Sequence, residues 1–370
     1  MKIIKSFLVI CLCVILTGCG FKKDDCITLK FSTWGSASEM AILTPIIKDF
    51  ETQNPDIKIE VMHIPQDYFK KLHLLFASNL APDVVFINNL NIPVYANLLE
   101  DLTQYINKDT YFKQALETMT VNNKVYAVPR DVSTLVVYYN KTLFKKYGVP
   151  YPDKNWTLED LLIKSKKLTH KGVWGISYEP LIYYALPYMH YFNEYLFNQE
   201  GQQIYDNCNG TEYYKNLAFK YHYAPTPAQT GSKTLAQMFL EEKICMHLSG
   251  RWLVPKYRTD AHFEWDVINF PKYASSTDSS GWAISKSSKN KDAAIKFVLF
   301  LSNKDNITKI TKDGLIVPAR IDVAKSEAFL NNKPANSNAF IEAVENSKPT
   351  SVTKDYNKVV DKLTDKVFSN

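Results

Sequence analysis

The sequence predicts an α/β protein whose body folds as two lobes. Residues 27–33 alternate apolar and polar side chains as a β-strand does, and residues 42–50 place apolar side chains at helical spacing. A strand at 57–61, a helix at about 66–78 and a short apolar strand at 84–87 follow with short connections. This order of strands and helices is typical of a doubly wound parallel sheet.

A second group of strands and helices follows, which is why we expect a second lobe. A strand is predicted at 134–139, and a helix begins at Thr157, where Asp160 three residues later completes a capping arrangement. Strands at 174–177 and 244–248 are separated by helical patterns. Further elements are predicted at 212–223, 235–242, 282–284, 294–301, 326–330, 335–346 and 354–368.

The first eighteen residues have the layout of a secretory signal. Lys2 and Lys5 precede an apolar run at 7–16, and small residues come just before Cys19. The run is too short to remain in a bilayer as a spanning helix. The sequence Leu, Thr, Gly, Cys resembles the lipobox of bacterial lipoproteins, which implies cleavage after residue 18 and lipid on Cys19. The alternative is an ordinary cut with Cys19 as a bystander.

Length and charge narrow the class of protein. Removal of the signal from the 370 residues leaves 352, which is enough for two well-formed cores. The mature net charge of about +4 is spread along the chain and does not favour nucleic acid as a partner. Cys26, Cys208 and Cys245 would remain after processing. A Cys208–Cys245 bridge is one alternative, and unpaired thiols are the one we favour.

No catalytic motif is present in the sequence. It lacks the nucleophile elbow, the zinc-protease helix, the paired-cysteine motif and the dinucleotide-binding glycine loop, and its histidines are not at metal spacing. We therefore expect no enzyme activity, no cofactor and no metal. The 23 Tyr, 20 Phe and 6 Trp exceed what a core alone usually uses, and we expect some of them at a binding surface.

A series of motifs along the whole mature chain resembles the extracellular solute-binding proteins of the sugar-uptake type, which include maltose-binding protein. Singly these motifs are weak, but their order behind a lipobox identifies the chain as similar to that family. They are STWG (32–35), FETQNPDIKI (50–59), APDVVFI (81–87), YAVPR (126–130), YYNKTL (138–143), WTLEDL (156–161), GVWGIS (172–177), FLEEKICM (239–246), SGRW (249–252) and SGWAI (280–284).

The resemblance implies a two-lobed periplasmic-binding-protein fold of type II, in which each lobe is a mixed, mostly parallel sheet flanked by helices. Hinge crossovers would lie near 135–140, 275–285 and 314–320, and the ligand would bind in the cleft. The implied division is 1–18 for the signal peptide, 19–26 for the lipidated cysteine and tether, 27–137 plus 280–316 for lobe 1, and 138–279 plus 317–370 for lobe 2.

The resemblance also implies which residues hold the ligand. Trp252 and Trp282 match aromatic positions that stack on a sugar ring, with Gly281 allowing close backbone approach. Asp131 is expected to contact the ligand, although it could equally form a hinge ion pair with Arg130. The other candidates follow strands or lie on helix faces and are Trp34, Asn88, Tyr184, Arg320 and Tyr356.

The function expected from the resemblance is capture of a small solute. The ligand would be a sugar or sugar-like polyol, namely an oligosaccharide, a monosaccharide or a glycerol phosphodiester. A monomeric lipoprotein on the extracytoplasmic face of the membrane would deliver it to the permease of an ABC transporter. Two alternatives remain open, a surface hydrolase or lyase that acts on polysaccharide, and an adhesin or receptor without a transport partner.

Overall fold

The computed structural model describes residues 26–198, 201–205 and 208–368, so the predicted signal peptide and Cys19 lie outside the described residues. Its strands are β1 (Ile27–Thr33), β2 (Ile57–His63), β3 (Val84–Asn88), β4 (Thr120–Val121), β5 (Lys124–Val125), β6 (Val128–Ser133), β7 (Val136–Asn140), β8 (Trp174–Ile176), β9 (Ile244–Ser249), β10 (Trp265–Asn269), β11 (Ser276–Ile284), β12 (Val317–Pro318) and β13 (Lys348–Pro349).

The α-helices surround these strands. They are α1 (Ala37–Gln53), α2 (Tyr68–Ala77), α3 (Ile92–Tyr95), α4 (Lys113–Thr118), α5 (Lys141–Lys146), α6 (Leu158–Leu168), α7 (Ile182–Tyr191), α8 (Asn209–Phe219), α9 (Pro227–Thr230), α10 (Leu235–Leu240), α11 (Val254–Asp260), α12 (Lys291–Leu301), α13 (Lys304–Thr311), α14 (Ile321–Ala324), α15 (Glu327–Leu330), α16 (Asn338–Asn346) and α17 (Tyr356–Phe368).

Two main sheets define the two lobes. The first has the order β12-β6-β11-β3-β1-β2, with β13 paired to β11, and the second has the order β10-β7-β9-β8. In the first sheet β1 is parallel to β2 and β3, whereas β11 is antiparallel to β3 and β6. In the second sheet β7 is antiparallel to both neighbours, and only β8 and β9 run parallel. The predicted two-lobed α/β fold is confirmed, but the sheets are mixed without the expected parallel majority.

The chain crosses between the sheets near the predicted crossovers, but the boundaries of the two lobes shift by several residues. The strand predicted at 134–139 corresponds to β7 of the second sheet, and β6, which directly precedes it and belongs to the first sheet, is not predicted. β11 enters the first sheet at Ser276, not at 280. β12 pairs with β6, so residues 317–318 still belong to the first sheet, although the predicted division assigns them to the second lobe. The chain returns to the second lobe before α16, which packs on β10.

Local capping explains where two of the helices begin. The Ser36 hydroxyl accepts a hydrogen bond from the Glu39 amide, and the Glu39 carboxylate accepts one from the Ser36 amide, which starts α1. Thr157 and Asp160 form the same reciprocal pair at the start of α6, as the sequence predicts. The cap fixes Glu39 in the first turn of α1, close to the end of β1.

The apolar core is continuous from the first lobe to one face of the second sheet. Phe329 of α15 and Phe340 of α16 both belong to this core, and the Phe340 ring lies 6.4 Å from the ring of Tyr138 in β7. The other face of the second sheet has a separate core, and a smaller cluster joins α7 to α17. Apolar packing therefore joins the first lobe to one face of the second sheet.

Gly281 allows β11 and β6 to lie close together. A Cβ atom built on Gly281 would lie 2.2 Å from the carbonyl oxygen of Val128, which is far inside van der Waals contact. The register of the two strands also shifts between Ser280 and Gly281. The glycine is therefore explained by strand packing, which differs from the predicted role of giving a ligand access to the backbone.

We predict that Gly281→Ala lowers the free energy of unfolding by about 1–3 kcal/mol, because the added methyl group overpacks the β6 contact. Chemical denaturation measures this change. Gly148→Asn is the matched control: Gly148 has φ +64°, a Cβ atom there would meet nothing within 4 Å, and Asn tolerates this backbone region. Equal stability of Gly281→Ala and the wild type would contradict the packing argument.

A buried histidine in β9 links folding to pH. His247 is 4 % exposed, its Nδ1 lies 2.6 Å from the Tyr257 hydroxyl, and burial lowers the pKa of its imidazole to about 3. The folded protein therefore keeps His247 neutral at pH values where the unfolded chain takes up a proton. Stability from this group is present above the ordinary histidine pKa of about 6.5 and is lost as the pH falls from there toward about 3.

We predict that His247 contributes about 3 kcal/mol to the loss of unfolding free energy between about pH 7 and pH 4. His247→Gln should make this pH profile shallower by that amount, as measured by urea denaturation at each pH. The exposed His73 provides the control, since its replacement by Gln should leave the slope as in the wild type. Parallel profiles for wild type and His247→Gln would refute the prediction.

Candidate functional site

A cavity of about 250 Å³ lies where the two lobes meet. We call it the interlobe cavity. First-lobe segments and the turn after β9 in the second lobe both contribute to its walls, as expected for a cleft at a topological boundary between sheets. Its lining residues are Trp34, Glu39, Arg130, Asp131, Val132, Ser133, Arg251, Trp252, Ser280, Leu315, Ile316 and Val317.

The first lobe supplies an aromatic wall. Trp34 directly follows β1, and its ring centroid lies 4.9 Å from that of Tyr68, 5.3 Å from that of Phe69 and 4.2 Å from that of Phe86. These neighbours come from α2 and β3, so both elements hold the indole in place beside the end of β1. Trp34 lines the interlobe cavity, and its contact with a ligand stays a prediction.

A charged triad lies beside this wall. Arg130 Nε is 2.5 Å from Asp131 Oδ2, and Arg130 Nη1 is 3.5 Å from Glu39 Oε1. The guanidinium carbon also lies 4.2 Å from the centroid of the Phe86 ring. A partly buried arginine with two carboxylates and an aromatic face is fixed in position, because each contact restricts the same planar group.

Asp131 lines the cavity and is paired with Arg130, which is the ion-pair alternative, while its contact with a ligand stays a prediction. Its residue surface is 8 % exposed. Burial raises the pKa of the Asp131 carboxyl, while the charge and hydrogen bond of Arg130 act in the opposite direction. The triad holds two acidic groups for one guanidinium, so the guanidinium is neutralised within the protein.

Trp252 is the aromatic side chain that the second lobe adds to the cavity. It lies in the 3-10 turn Arg251–Leu253 after β9 and is 37 % exposed. Its ring folds over Gly250, where a Cβ atom would lie 1.9 Å from the ring, so only glycine permits this placement. A half-exposed indole held in this way offers a flat apolar face.

Arg251 precedes Trp252 and is buried in the same part of the cavity. It is 3 % exposed, and its guanidinium carbon lies 3.9 Å from the centroid of the Phe329 ring and 5.0 Å from that of Phe340. Nε, Nη1 and Nη2 have no hydrogen-bond partner among the residues that the structure describes. Burial lowers the pKa of the Arg251 guanidinium to about 9, which leaves it protonated at neutral pH.

Trp282 does not line the interlobe cavity. It is 1 % exposed within the first-lobe core, where β11 pairs with β3 and β6, and its ring lies 6.1 Å from that of Phe86. Alternation along a strand places every second side chain on the face that packs against helices. The prediction that Trp282 stacks on a ligand is therefore wrong for this structure, which buries the whole ring.

Arg320 and Tyr356 have structural surroundings instead of the predicted ligand contact. Arg320 donates to both carboxylate oxygens of Asp322, at 3.0 and 2.9 Å, and lies near Tyr111 on the first lobe. Tyr356 is 5 % exposed and packs against Phe197 in the cluster between α7 and α17. Neither belongs to the lining of the interlobe cavity.

Asn88 lies at the end of β3 and Tyr184 in the first turn of α7, and neither residue lines the cavity. The Oδ1 atom of Asn88 accepts a hydrogen bond from Asn91 Nδ2 at 2.7 Å, which is typical of a residue that starts a turn. Tyr184 lies near the Ser249 side chain, and burial raises the pKa of its hydroxyl to about 12. Tyr184 therefore supports the end of β9, just before the turn that carries Trp252.

Sequence reasoning missed two charged residues of the lining. Glu39 is recognisable in the sequence as a capping residue, and only tertiary structure brings it to Arg130. Arg251 had a signal, because a charged residue two positions after the buried strand β9 and directly before a candidate tryptophan is unusual. The family motif points to Trp252 alone.

The described part of the chain offers no obvious metal site or membrane span. Across residues 26–198, 201–205 and 208–368, no three His, Cys, Asp or Glu side chains are grouped as a metal would require. Within the same ranges no helix combines the length and apolarity needed to cross a bilayer. Cys208 and Cys245 do not form a disulfide, and the Cys245 thiol is buried near the Leu168 carbonyl.

Comparisons with known proteins agree with this architecture. The galactooligosaccharide-binding protein of Bacillus subtilis is 25% identical, over 97% of this chain and 90% of that protein. An ABC substrate-binding protein from Listeria monocytogenes, solved with cycloalternan, has a TM-score of 0.82 and 29% identity, covering 93% of each chain. Maltose-bound MalE3 of T. maritima has a TM-score of 0.81 and 21% identity, covering 93% of this chain and 94% of that one.

The family assignment rests on a match to the sequence profile of a whole family. The profile of the bacterial extracellular solute-binding proteins matches residues 34–307. This range begins directly after β1 and ends within α13, so it contains the second sheet, most of the first and most of the lining of the interlobe cavity. The chain therefore belongs to the bacterial extracellular solute-binding proteins.

Proposed function

We propose that the protein captures a sugar or sugar-like polyol in the interlobe cavity and delivers it to the permease of an ABC importer. The observation that carries this proposal is the composition of the cavity, in which Trp34 and Trp252 come from different lobes and lie with the polar groups of the charged triad. The similar proteins named for galactooligosaccharide and solved with cycloalternan or maltose support the same ligand class.

The chemistry of the cavity suits a carbohydrate. Sugar rings present apolar C–H faces that pack against aromatic rings, and hydroxyl groups that need planar polar partners. The half-exposed Trp252 supplies an aromatic ring for the apolar faces of the sugar. Hydrogen-bond acceptors and donors for its hydroxyl groups come from Glu39, Asp131, Ser133 and Ser280. Both cavity carboxylates are bound to Arg130, which favours binding over acid and base catalysis.

Delivery would depend on movement of the lobes about their crossovers. Because both lobes line the cavity, a ligand that contacts Trp34 and Trp252 together favours the conformation in which these residues are close. One chain supplies both walls, so we propose that a monomer is sufficient. The ligand would leave unchanged, since no bond is broken.

Isothermal titration calorimetry of the purified full chain tests the proposal. The panel should contain malto-oligosaccharides, galacto-oligosaccharides, monosaccharides and a glycerol phosphodiester. We expect saturable binding of at least one of them, and binding restricted to peptides or metal complexes would overturn the ligand class.

We predict that Trp252→Ala weakens binding of the sugar found in this way by roughly 10–100-fold, because an aromatic face is lost from the cavity. Calorimetry measures the change. The matched control is Trp174→Ala, since Trp174 lies in β8 and outside the cavity lining. An equal loss of affinity for both variants would remove Trp252 from the site.

We also propose that Cys19 is lipidated, as the resemblance to the lipobox implies. Labelled palmitate should be incorporated into the wild-type protein in bacterial cells, and Cys19→Ser should lose the label and leave the membrane fraction. Stable anchoring needs more than one acyl chain, so loss of this one residue should release the protein. Cys26→Ser is the control, and labelling that persists in Cys19→Ser would contradict the proposal.

A further inference from the structure

Arg251 differs from the other arginines of the chain. Arg130 pairs with Asp131 and Glu39, and Arg320 pairs with Asp322. Arg258 donates to the carbonyl oxygen of Lys333 at 2.7 Å. Arg251 is 3 % exposed, yet within the described ranges none of its three guanidinium nitrogens has a hydrogen-bond partner.

Packing alone does not account for a charge at this position. Transfer of a cation from water to the protein interior is unfavourable unless acceptors replace the water. Stacking on Phe329 and Phe340 compensates for part of this loss. An apolar side chain of similar length would make the same contacts with these rings without the loss of hydration. The guanidinium is therefore suited to an acceptor that the described part of the protein does not provide.

The other charged side chains of the interlobe cavity already pair with one another. Among the charged lining residues, Glu39, Arg130 and Asp131 form the triad, so Arg130 has its carboxylate partners within the fold. Arg251 is the cation that remains in this lining, and it directly precedes Trp252 in the same wall. When a sugar ring stacks on Trp252, a substituent on that ring would therefore lie near the Arg251 guanidinium, whose N–H donors have no partner among the described residues.

We infer that the ligand of the interlobe cavity is a saccharide that carries an acidic group, a carboxylate or a phosphate, which pairs with Arg251. The fork of N–H donors in a guanidinium matches both oxyanions in a bidentate manner. This inference rests on the proposed sugar-binding function and specifies the ligand further. It makes Arg251 the residue that distinguishes acidic from neutral sugars.

Engagement of Arg251 requires a small rearrangement. The guanidinium nitrogens are buried in this conformation. Leu315, Ile316 and Val317 of the first lobe line the cavity with Arg251 of the second lobe. Movement of the lobes about their crossovers would change the separation of these residues, so the acidic group and Arg251 meet as the lobes move.

The test compares matched neutral and acidic probes on the purified full chain. Calorimetry is performed with glucose, glucuronate and glucose 6-phosphate, and with maltotriose and trigalacturonate. We expect an acidic probe to bind at least about 10-fold more tightly than its neutral counterpart, with a preference that weakens as salt is raised. The glucuronate and phosphate arms show which oxyanion is preferred. Equal or tighter binding of the neutral probes overturns the inference and leaves the proposed function intact, whereas no binding of any sugar refutes both.

Variants separate a specificity role from a structural one. Arg251→Met should abolish the preference for the acidic probe while its thermal midpoint stays equal to or above that of the wild type. Lys256→Met removes an exposed cation of α11 and should leave the preference unchanged. A lower midpoint together with an unchanged preference in Arg251→Met would show that Arg251 is structural and overturn the inference. If Arg251→Met does not fold, Arg251→Lys replaces it, because lysine keeps the charge but loses the fork of N–H donors. Arg251→Lys should retain only part of the preference for the acidic probe. A full preference in this variant would also overturn the inference.

Discussion

The close pairing of β11 with β6 and β3 is the constraint on which the two-lobed architecture depends. β11 enters the first sheet directly after the chain leaves β10 of the second sheet, and it holds the strand that carries Arg130 to Ser133. Gly281 makes this approach possible, since a side chain there would meet the Val128 carbonyl. The Asn89 side chain fastens the end of β3 to the same strand through Asp278 and Ser279. The first-lobe wall of the cavity is therefore built on a fixed frame.

The two walls of the cavity differ in how firmly their aromatic side chains are held. Trp34 packs against three aromatic rings from the sheet and α2, so its position is determined before any ligand binds. Trp252 lies on a short turn, is 37 % exposed and depends on Gly250 for its orientation. Preorganisation on one side lowers the entropy lost on binding, because fewer side chains must be ordered at that moment. The second wall can then adjust to the ligand.

Local sequence patterns are sufficient for most elements and for the fold, while the site depends on contacts that no local pattern records. The capping box at Thr157 and the apolar spacing of α1 are determined within a few residues, and both predictions are confirmed. The prediction for Trp282 fails because a sequence motif shows that the residue lies in a strand but not which face of the sheet its side chain is on. β11 lies between β3 and β6, and the Trp282 side chain is on the buried face. The prediction for Arg320 fails for a similar reason, because the motif does not show its partner. The guanidinium forms an ion pair with Asp322 on the surface of the first lobe.

Aromatic abundance is a weaker guide to the site than charge pairing. Tyr138, Tyr178, Tyr188, Tyr214 and Tyr257 are fully buried, so much of the unusual tyrosine content fills the cores of the lobes. Charged residues behave differently, because a buried ion needs a partner and the partner can be identified. Arg130 has its partners within the fold, and Arg251 has none among the described residues. In a chain without catalytic motifs, a buried cation that lacks a partner in the wall of a cleft is thus more specific evidence about the ligand than any single ring.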